Sequence, residues 1–512
     1  MPPRSRLVEA LVLAAILSAF WLVRWPFREV VLIRDEGEYA YIGQRILHGE
    51  VPYRDVYDQK TPLVFYSMAA GQRLLGPSVS ELRLFGSAWG LLSTGAVYAL
   101  ARVALGPLGA AAAALSFGAM VFDQAGIFHQ ASTEYFMLLW LALGVLAWRK
   151  TGGPARPGWA ALAGALAGLA CLTKQSGGAL LVFFAADALW RRRRAGRAAF
   201  AAAAGDSALA LAGFAAVLAL AAAGFAAQGA LDEFVAAAWL DIGGYVGGHY
   251  RNAQLAEQLA NIAEIVGRDA GFWLVGAFGL LLAARSRSDA ASGWWLLLLV
   301  LLAAAIGPGG NSRHYFLPVV LPFALGMGAL AQSLPQQAGA TRVAFALALL
   351  LPWLGPLSLG WNVLHPDLAH APPRLLRPFD RAEVVARAIA ERTEREERVL
   401  IVGSEPEIYY LADRPAATRL IHLYTATGPY PSAPTLRAEF MRDLDTRPRY
   451  VLLVNVASSL TEFPDRLGAF LRPVVQVLKS DYVVEERWDG PGQDVALGGF
   501  GTAEFLLWRR RD

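Results

Sequence analysis

The sequence predicts a mainly α-helical, polytopic membrane protein that ends in a small external α/β domain. Three observations predict it. Hydrophobic residues make up 55% of the 512 and charged residues 17%, against roughly 25% charge in soluble domains, and mean hydropathy is +0.38. Long runs of Ala, Leu, Val, Gly and Trp recur from Leu7 to Gly360, with the charges gathered in the gaps between them. From about Trp361 the composition changes and charge density rises.

A helix that spans a bilayer takes about 20 apolar residues, with shorter stretches tolerated. On that rule the candidate spans are 7–25, 81–105, 107–122, 132–148, 158–173, 177–190, 207–227, 270–284, 292–307, 315–333 and 342–360, about eleven in all. Arg4 and Arg6 precede the first run, which continues into Trp21, Arg24 and Trp25 without a small-residue cleavage site. It reads as an uncleaved anchor. Arg149 and Lys150 follow the fourth segment, Arg191 to Arg194 the sixth, and Arg285 with Arg287 the eighth. All fall on the side of Arg4 and Arg6, the cytoplasmic side by the positive-inside rule. That parity makes the loops at 34–80, 123–131, 174–176, 228–269 and 307–314 external, together with the tail from residue 361. The apolar run 63–75 is short, and as a span it would invert every later cluster. It reads as a helix lying at the membrane interface.

These assignments divide the chain into a membrane domain at 1–360, whose first external loop is 34–80, a linker at 361–379 and an external domain at 380–512. Pro366, Pro372, Pro373 and Pro378 mark the linker. Beyond it, Asp380 with Glu383 makes a capping-box-like start to a helix carrying Ala382, Val385 and Ile389 on one face. The runs 399–403 and 450–456 read as buried strands, and 481–488 and 504–508 as weaker ones. Helices are predicted through Leu411, capped by Ser404 with Glu407, and over 435–444. Roughly 130 residues is an ordinary domain size.

The net charge of +4 does not point to nucleic acid, because the arginines cluster where membrane topology needs them. The single cysteine, Cys171, lies in an apolar run and leaves no intramolecular disulfide and no Cys-based metal site. Only four basic residues are lysine (Lys60, Lys150, Lys174, Lys479). With abundant Ala and Gly, that arginine bias suggests a GC-rich bacterial genome, hence an inner-membrane location. No spacing such as His-x-x-x-His marks a metal site, so no structural metal and no cofactor are predicted, and the carboxylates alone leave room for a divalent cation. The glycine-rich GGYVGGHY run in the 228–269 loop follows no strand and is not a phosphate-binding loop.

The stretch 35–62, DEGEYAYIGQRILHGEVPYRDVYDQKTP, is the most informative part of the chain. It follows the first long apolar segment with Asp35, Glu36 and Glu38, four tyrosines (Tyr39, Tyr41, Tyr53, Tyr57) and Lys60. Acids at the wet end of a membrane helix mark a polar cavity or site. The order of an Asp-Glu pair, a nearby Tyr, a Gly-x-x-Pro-Tyr turn and a Lys-x-Pro close resembles the first external loop of the glycosyltransferase C superfamily. Within it, the likeness is to the protein O-mannosyltransferase and bacterial aminoarabinose lipid A transferase branch. Gln59 stands where the latter often carry Glu, and Thr61 separates Lys60 from Pro62, which leaves the subfamily open.

The resemblance implies inverting transfer of one sugar from a polyprenyl-phosphate donor to a hydroxyl on an external protein, lipid or glycan. Such a reaction needs a base, cations for the departing phosphate and a water-poor pocket. Asp35 is the candidate base with Glu36 beside it, although both acids also suit the first turn of a short helix. Lys60, Arg313 and Lys174 are the candidate phosphate cations. For these the alternatives are lysine snorkelling, an interfacial Arg/Tyr belt and a topological anchor. Tyr39, Tyr57, Glu134 and Tyr315 are expected to line the pocket, Glu134 facing the first acid, unless it merely occupies the electropositive start of its helix. Glu38 is assigned no role, and His314 reads as a neighbour of Arg313. The rival class is a lipid-linked sugar flippase, since intramembrane charge also marks transport paths. The charges avoid span centres, and no paired broken helices suggest inverted repeats. A third reading is a non-catalytic relative that binds a glycan lipid.

Overall fold

The computed structural model describes residues 3–125, 132–151, 157–192, 196–252, 255–285, 291, 293–307, 313–350, 379–460, 464–490 and 499–512. The chain divides into two compact units, one of Met1–Val30, Arg83–Ala221 and Ala253–His370, the other of Val31–Leu82, Ala222–Asn252 and Ala371–Asp512. The proline-rich linker falls outside the described residues.

The first unit is a helical bundle. Every predicted span overlaps a helix, the last as far as Leu350. Among the described residues, four helices are long and apolar enough to cross a membrane: Arg6–Glu29, Val79–Ala101, Phe200–Ala227 and His314–Gln336. A bent pair, Ile262–Arg268 with Ala270–Arg285, makes a fifth if counted as one span. The others, such as Pro107–Phe122, Pro157–Thr173 and Trp294–Ile306, are apolar but shorter. Without a hydrophobic drive between helices in lipid, close backbone packing must hold them together. Gly279 and Gly326 supply it, each facing backbone of the opposite helix with no room for a Cβ. Part of the basic clustering also serves structure. Arg149, with a side chain only 2% exposed, pairs with Asp187 at 2.9 Å, and Arg191 reaches the other oxygen of Asp187 at 2.8 Å.

The second unit carries a four-stranded sheet in the order β1-β2-β4-β3, with β1 Leu400–Val402, β2 Tyr450–Val454, β3 Tyr482–Asp489 and β4 Ala503–Arg510. β1 and β2 are parallel, and β4 runs antiparallel to β2 and to β3. LIV and YVLLV are buried throughout, as strands covered on both faces must be. β3 is mostly exposed at the sheet edge and carries Glu485, Glu486 and Arg487, charges that discourage edge-to-edge pairing. Helices Ala382–Ala390, Pro406–Ala412 and Ala433–Asp445 fall where the sequence expects them. The capping does not. The residue before Pro406–Ala412 is Glu405 without a side-chain cap bond, and Ser404 Oγ donates instead to the Ser459 carbonyl. The helix Pro464–Asp481 is not anticipated at all.

The same unit includes residues 31–82. Arg34–Leu47 is a helix, ended by His48 and by Gly49 at φ +90°, and Leu63–Leu75 is a second, with the bounds the apolar run suggests. Gly37 lies against Glu407, and a Cβ there would overlap the Glu407 Cβ and backbone. Alanine normally favours a helix by about 0.5–1 kcal/mol over glycine, whereas overpacking costs about 1–3 kcal/mol or more. Gly37→Ala is therefore expected to lower the thermal unfolding temperature of the purified protein, and an unchanged or raised value contradicts this packing.

Candidate functional site

Two clusters of polar side chains collect the residues singled out from sequence, one in each unit. The first is built on the Arg34–Leu47 helix. Asp35, Glu38 and Tyr39 stand three and four residues apart and so share one face. Asp35 sits half-buried in the first turn, where the helix dipole favours an acid. Glu36 projects from a different face and is fully buried. The helix start is fixed by Arg34, which pairs with Glu405 at 2.9 Å and also donates to the Ser404 carbonyl.

Lys60 comes to this face through the turn that follows. Tyr53 adopts φ +71°, an unusual conformation for a non-glycine residue. Its ring is buried among Phe65, Phe225 and Phe234, and its hydroxyl donates to the Lys60 carbonyl at 2.8 Å. The Lys60 ammonium then lies 3.0 Å from Glu38 Oε2, 3.5 Å from Asp58 Oδ1 and 5.2 Å from the centre of the Tyr39 ring. Burial works against that charge, but Asp58 and Glu38 outweigh it and hold the lysine pKa well above the usual value. Burial, reinforced by Asp58, pushes the Glu38 carboxyl well up, and Asp35 adds to the effect. His422 completes the cluster, 2.5 Å from Glu38 through Nε2. Burial, with Lys60 and Arg34 adding, holds its pKa well below that of a free imidazole.

Tyr57 turns away from Lys60. Its hydroxyl donates to Asp241 Oδ2 at 2.5 Å, and Asp241 Oδ1 accepts from the Ser432 amide at 3.0 Å. The Tyr57 amide donates to the Arg419 carbonyl at 2.8 Å. Tyr57 thus ties the 31–82 segment to the sheet-bearing region.

The second cluster lies in the helical bundle. Glu134, in the first turn of Thr133–Arg149, makes a short ion pair with Lys174. Lys174 Nζ lies 3.8 Å from the centre of the Tyr315 ring, and His314 Nε2 lies 3.9 Å from Glu134. Glu134, Lys174 and Tyr315 line a cavity of about 10 Å³ with Ser176 and Pro318, room for about one water. Arg313 opens the short helix Arg313–Phe316, but its side chain lies outside the described residues.

Sequence reasoning missed Asp58 and His422 and gave Glu38 no role. Glu38 was recoverable, because its three-residue spacing from Asp35 places both on one helix face. Asp58 is two residues before Lys60. His422 comes from far along the chain and carries no local signal.

Residues 59–220 match the family model described as dolichyl-phosphate-mannose-protein mannosyltransferase. No curated protein matches. Among solved structures, the chain is similar to ArnT from Cupriavidus metallidurans bound to undecaprenyl phosphate, with a TM-score of 0.61 and 15% identity over 98% of this chain and 97% of that one. It is also similar to the archaeal oligosaccharyltransferase AglB from Archaeoglobus fulgidus in complex with an inhibitory peptide and a dolichol-phosphate, with a TM-score of 0.55 and 14% identity over 92% of this chain and 72% of that one. The chain thus shares the fold of these two structures.

Proposed function

We propose that this chain is a membrane glycosyltransferase that moves one sugar, with inversion, from a polyprenyl-phosphate carrier to a hydroxyl of an external acceptor. The observation that carries the reading is a carboxyl group, Asp35, and an ammonium, Lys60, gathered at one face of the Arg34–Leu47 helix. Asp35 is half-buried in the first turn of that helix, and Lys60 is held over Tyr39, the next turn along, by buried carboxylates. Asp35 takes the acceptor proton, and Lys60 meets the phosphate as its charge grows. The similarity to structures bound to undecaprenyl phosphate and dolichol-phosphate supports a polyprenyl-phosphate donor, as does the match of 59–220 to a dolichyl-phosphate-mannose family.

Lys174 and Arg313 serve as further phosphate cations in this reading. Glu134 and Tyr315 hold the Lys174 ammonium in place, and Glu36, fully buried, supports the helix start rather than the proton transfer. Tyr39 lines the site under Lys60, and Tyr57 fixes the loop through Asp241. The acceptor is a protein, a lipid or a cell-envelope glycan.

The test uses the purified full-length protein with a polyprenyl-phosphate-linked sugar. Release of free polyprenyl phosphate together with a glycosylated acceptor is the expected result. Intact donor appearing in the opposite leaflet of a liposome, with no sugar transferred, would mean a flippase.

The orientation proposed with this function puts 380–512 outside the cytoplasm, in a bacterial inner membrane. A reporter active only in the cytoplasm, fused after Asp512, is expected to stay silent. Strong signal would place the active face on the wrong side of the membrane for an external acceptor.

A further inference from the structure

The two carboxylates that hold Lys60 offer it one oxygen each, Glu38 Oε2 and Asp58 Oδ1. Their other oxygens, Glu38 Oε1 and Asp58 Oδ2, take nothing from Lys60, and both residues are fully buried. His422 faces the same space. It too is fully buried, its Nε2 lies 2.5 Å from Glu38 Oε1, and its Nδ1 has no hydrogen-bond partner. One atom from each of Glu38, Asp58 and His422 lies within 4.8 Å of the others. Buried polar atoms almost always find a partner. The single N–H of a neutral imidazole cannot satisfy both carboxylate oxygens, so the three groups make a donor set that a cation would complete.

We propose that Glu38, Asp58 and His422 form a binding site for a divalent transition-metal cation, with Zn²⁺ the ion that best suits the donor set. Glu38, Asp58 and His422, all fully buried, offer two oxygen donors and one nitrogen donor. Mg²⁺ takes oxygen donors and keeps its waters, so a buried imidazole disfavours it. Imidazole with carboxylates suits Zn²⁺, for which three protein ligands leave a fourth position open to water or an anionic oxygen. Lys60 would not compete, because it occupies the opposite oxygens. The imidazole also joins this metal to the 31–82 segment through a residue far along the chain, so the ion would fasten two distant parts of one unit.

The rival occupant is a proton shared between Glu38 and Asp58, which would bind no metal. The experiment strips the full-length protein in detergent with a chelator, reloads it with Zn²⁺, Mn²⁺ or Mg²⁺ in turn, and measures bound metal by mass spectrometry. Stoichiometric Zn²⁺ with little Mg²⁺ is expected, together with a Zn²⁺-dependent rise in unfolding temperature that His422→Gln abolishes. The metal-free unfolding temperature of His422→Gln checks that it folds. X-ray absorption at the zinc edge of the wild-type protein reads the donor set without any substitution, and one imidazole with oxygen neighbours is expected. Wild-type protein that retains no Zn²⁺, a folded His422→Gln that retains it fully, or a zinc shell without imidazole would overturn the site. Bound metal is the readout, so the outcome does not depend on whether the protein transfers sugar.

Discussion

Asp35→Asn is expected to insert and fold as the wild type does while losing about 10²–10⁴-fold in transfer rate, the usual cost of a missing general base. Asparagine keeps the shape of the side chain and most of its hydrogen-bonding capacity, and removes only the proton acceptor. Asp35 is the right residue to change because it is the half-exposed acid on the face it shares with Glu38 and Tyr39. Glu36 is fully buried and points from another face, so Glu36→Gln should register mainly in stability. The readout is initial rate at saturating donor, with the elution profile in detergent as the check on folding. Wild-type turnover by Asp35→Asn would remove Asp35 from the mechanism and move the base to Glu36 or Glu134.

Periodicity and hydropathy made most of the fold legible. The strands β1 and β2 were readable because each is a short apolar run that must be covered on both faces. The helix Leu63–Leu75 was readable because its charge pattern could not be reconciled with a span. Helix capping was not readable, since Ser404 has an equally good partner in Ser459, 55 residues away. The compact unit that holds the sheet also draws in 31–82 and 222–252. No composition shift marks that, because a segment that binds a distant domain and one that forms a free loop are both polar.

The site was half legible for the same reason. Asp35, Tyr39 and Lys60 sit in one motif, and the i, i+3, i+4 rule assembles the first two with Glu38. Lys174, Glu134 and Tyr315 were singled out separately for their places at helix ends, and they meet in one cluster. Asp58 and His422 were invisible as functional groups. An aspartate two residues before a lysine is common in loops, and a histidine in an apolar run usually means only a filled core.

Lys60→Met is the most discriminating change. Methionine retains the aliphatic stem and deletes the cation that lies over the Tyr39 ring. In the transfer reading the phosphate gains charge as the glycosidic bond breaks, so the ammonium is worth most in the transition state. Removing one such electrostatic partner costs about 10²–10³-fold in kcat, while donor affinity should fall much less. A second consequence is structural. Glu38 and Asp58 are fully buried and lose their ion-pair partner, and breaking a buried pair from one side costs about 3–5 kcal/mol. That penalty falls if Glu38, already pushed up by burial and Asp58, takes a proton. Lys60→Arg separates the two effects, because it restores a cation to the carboxylates but not the compact ammonium that the phosphate meets. Arginine should recover much of the unfolding temperature and little of the turnover. Full turnover by Lys60→Met, or equal loss of donor binding and kcat, would leave Lys60 as a structural ion pair and return the phosphate role to Lys174 and Arg313.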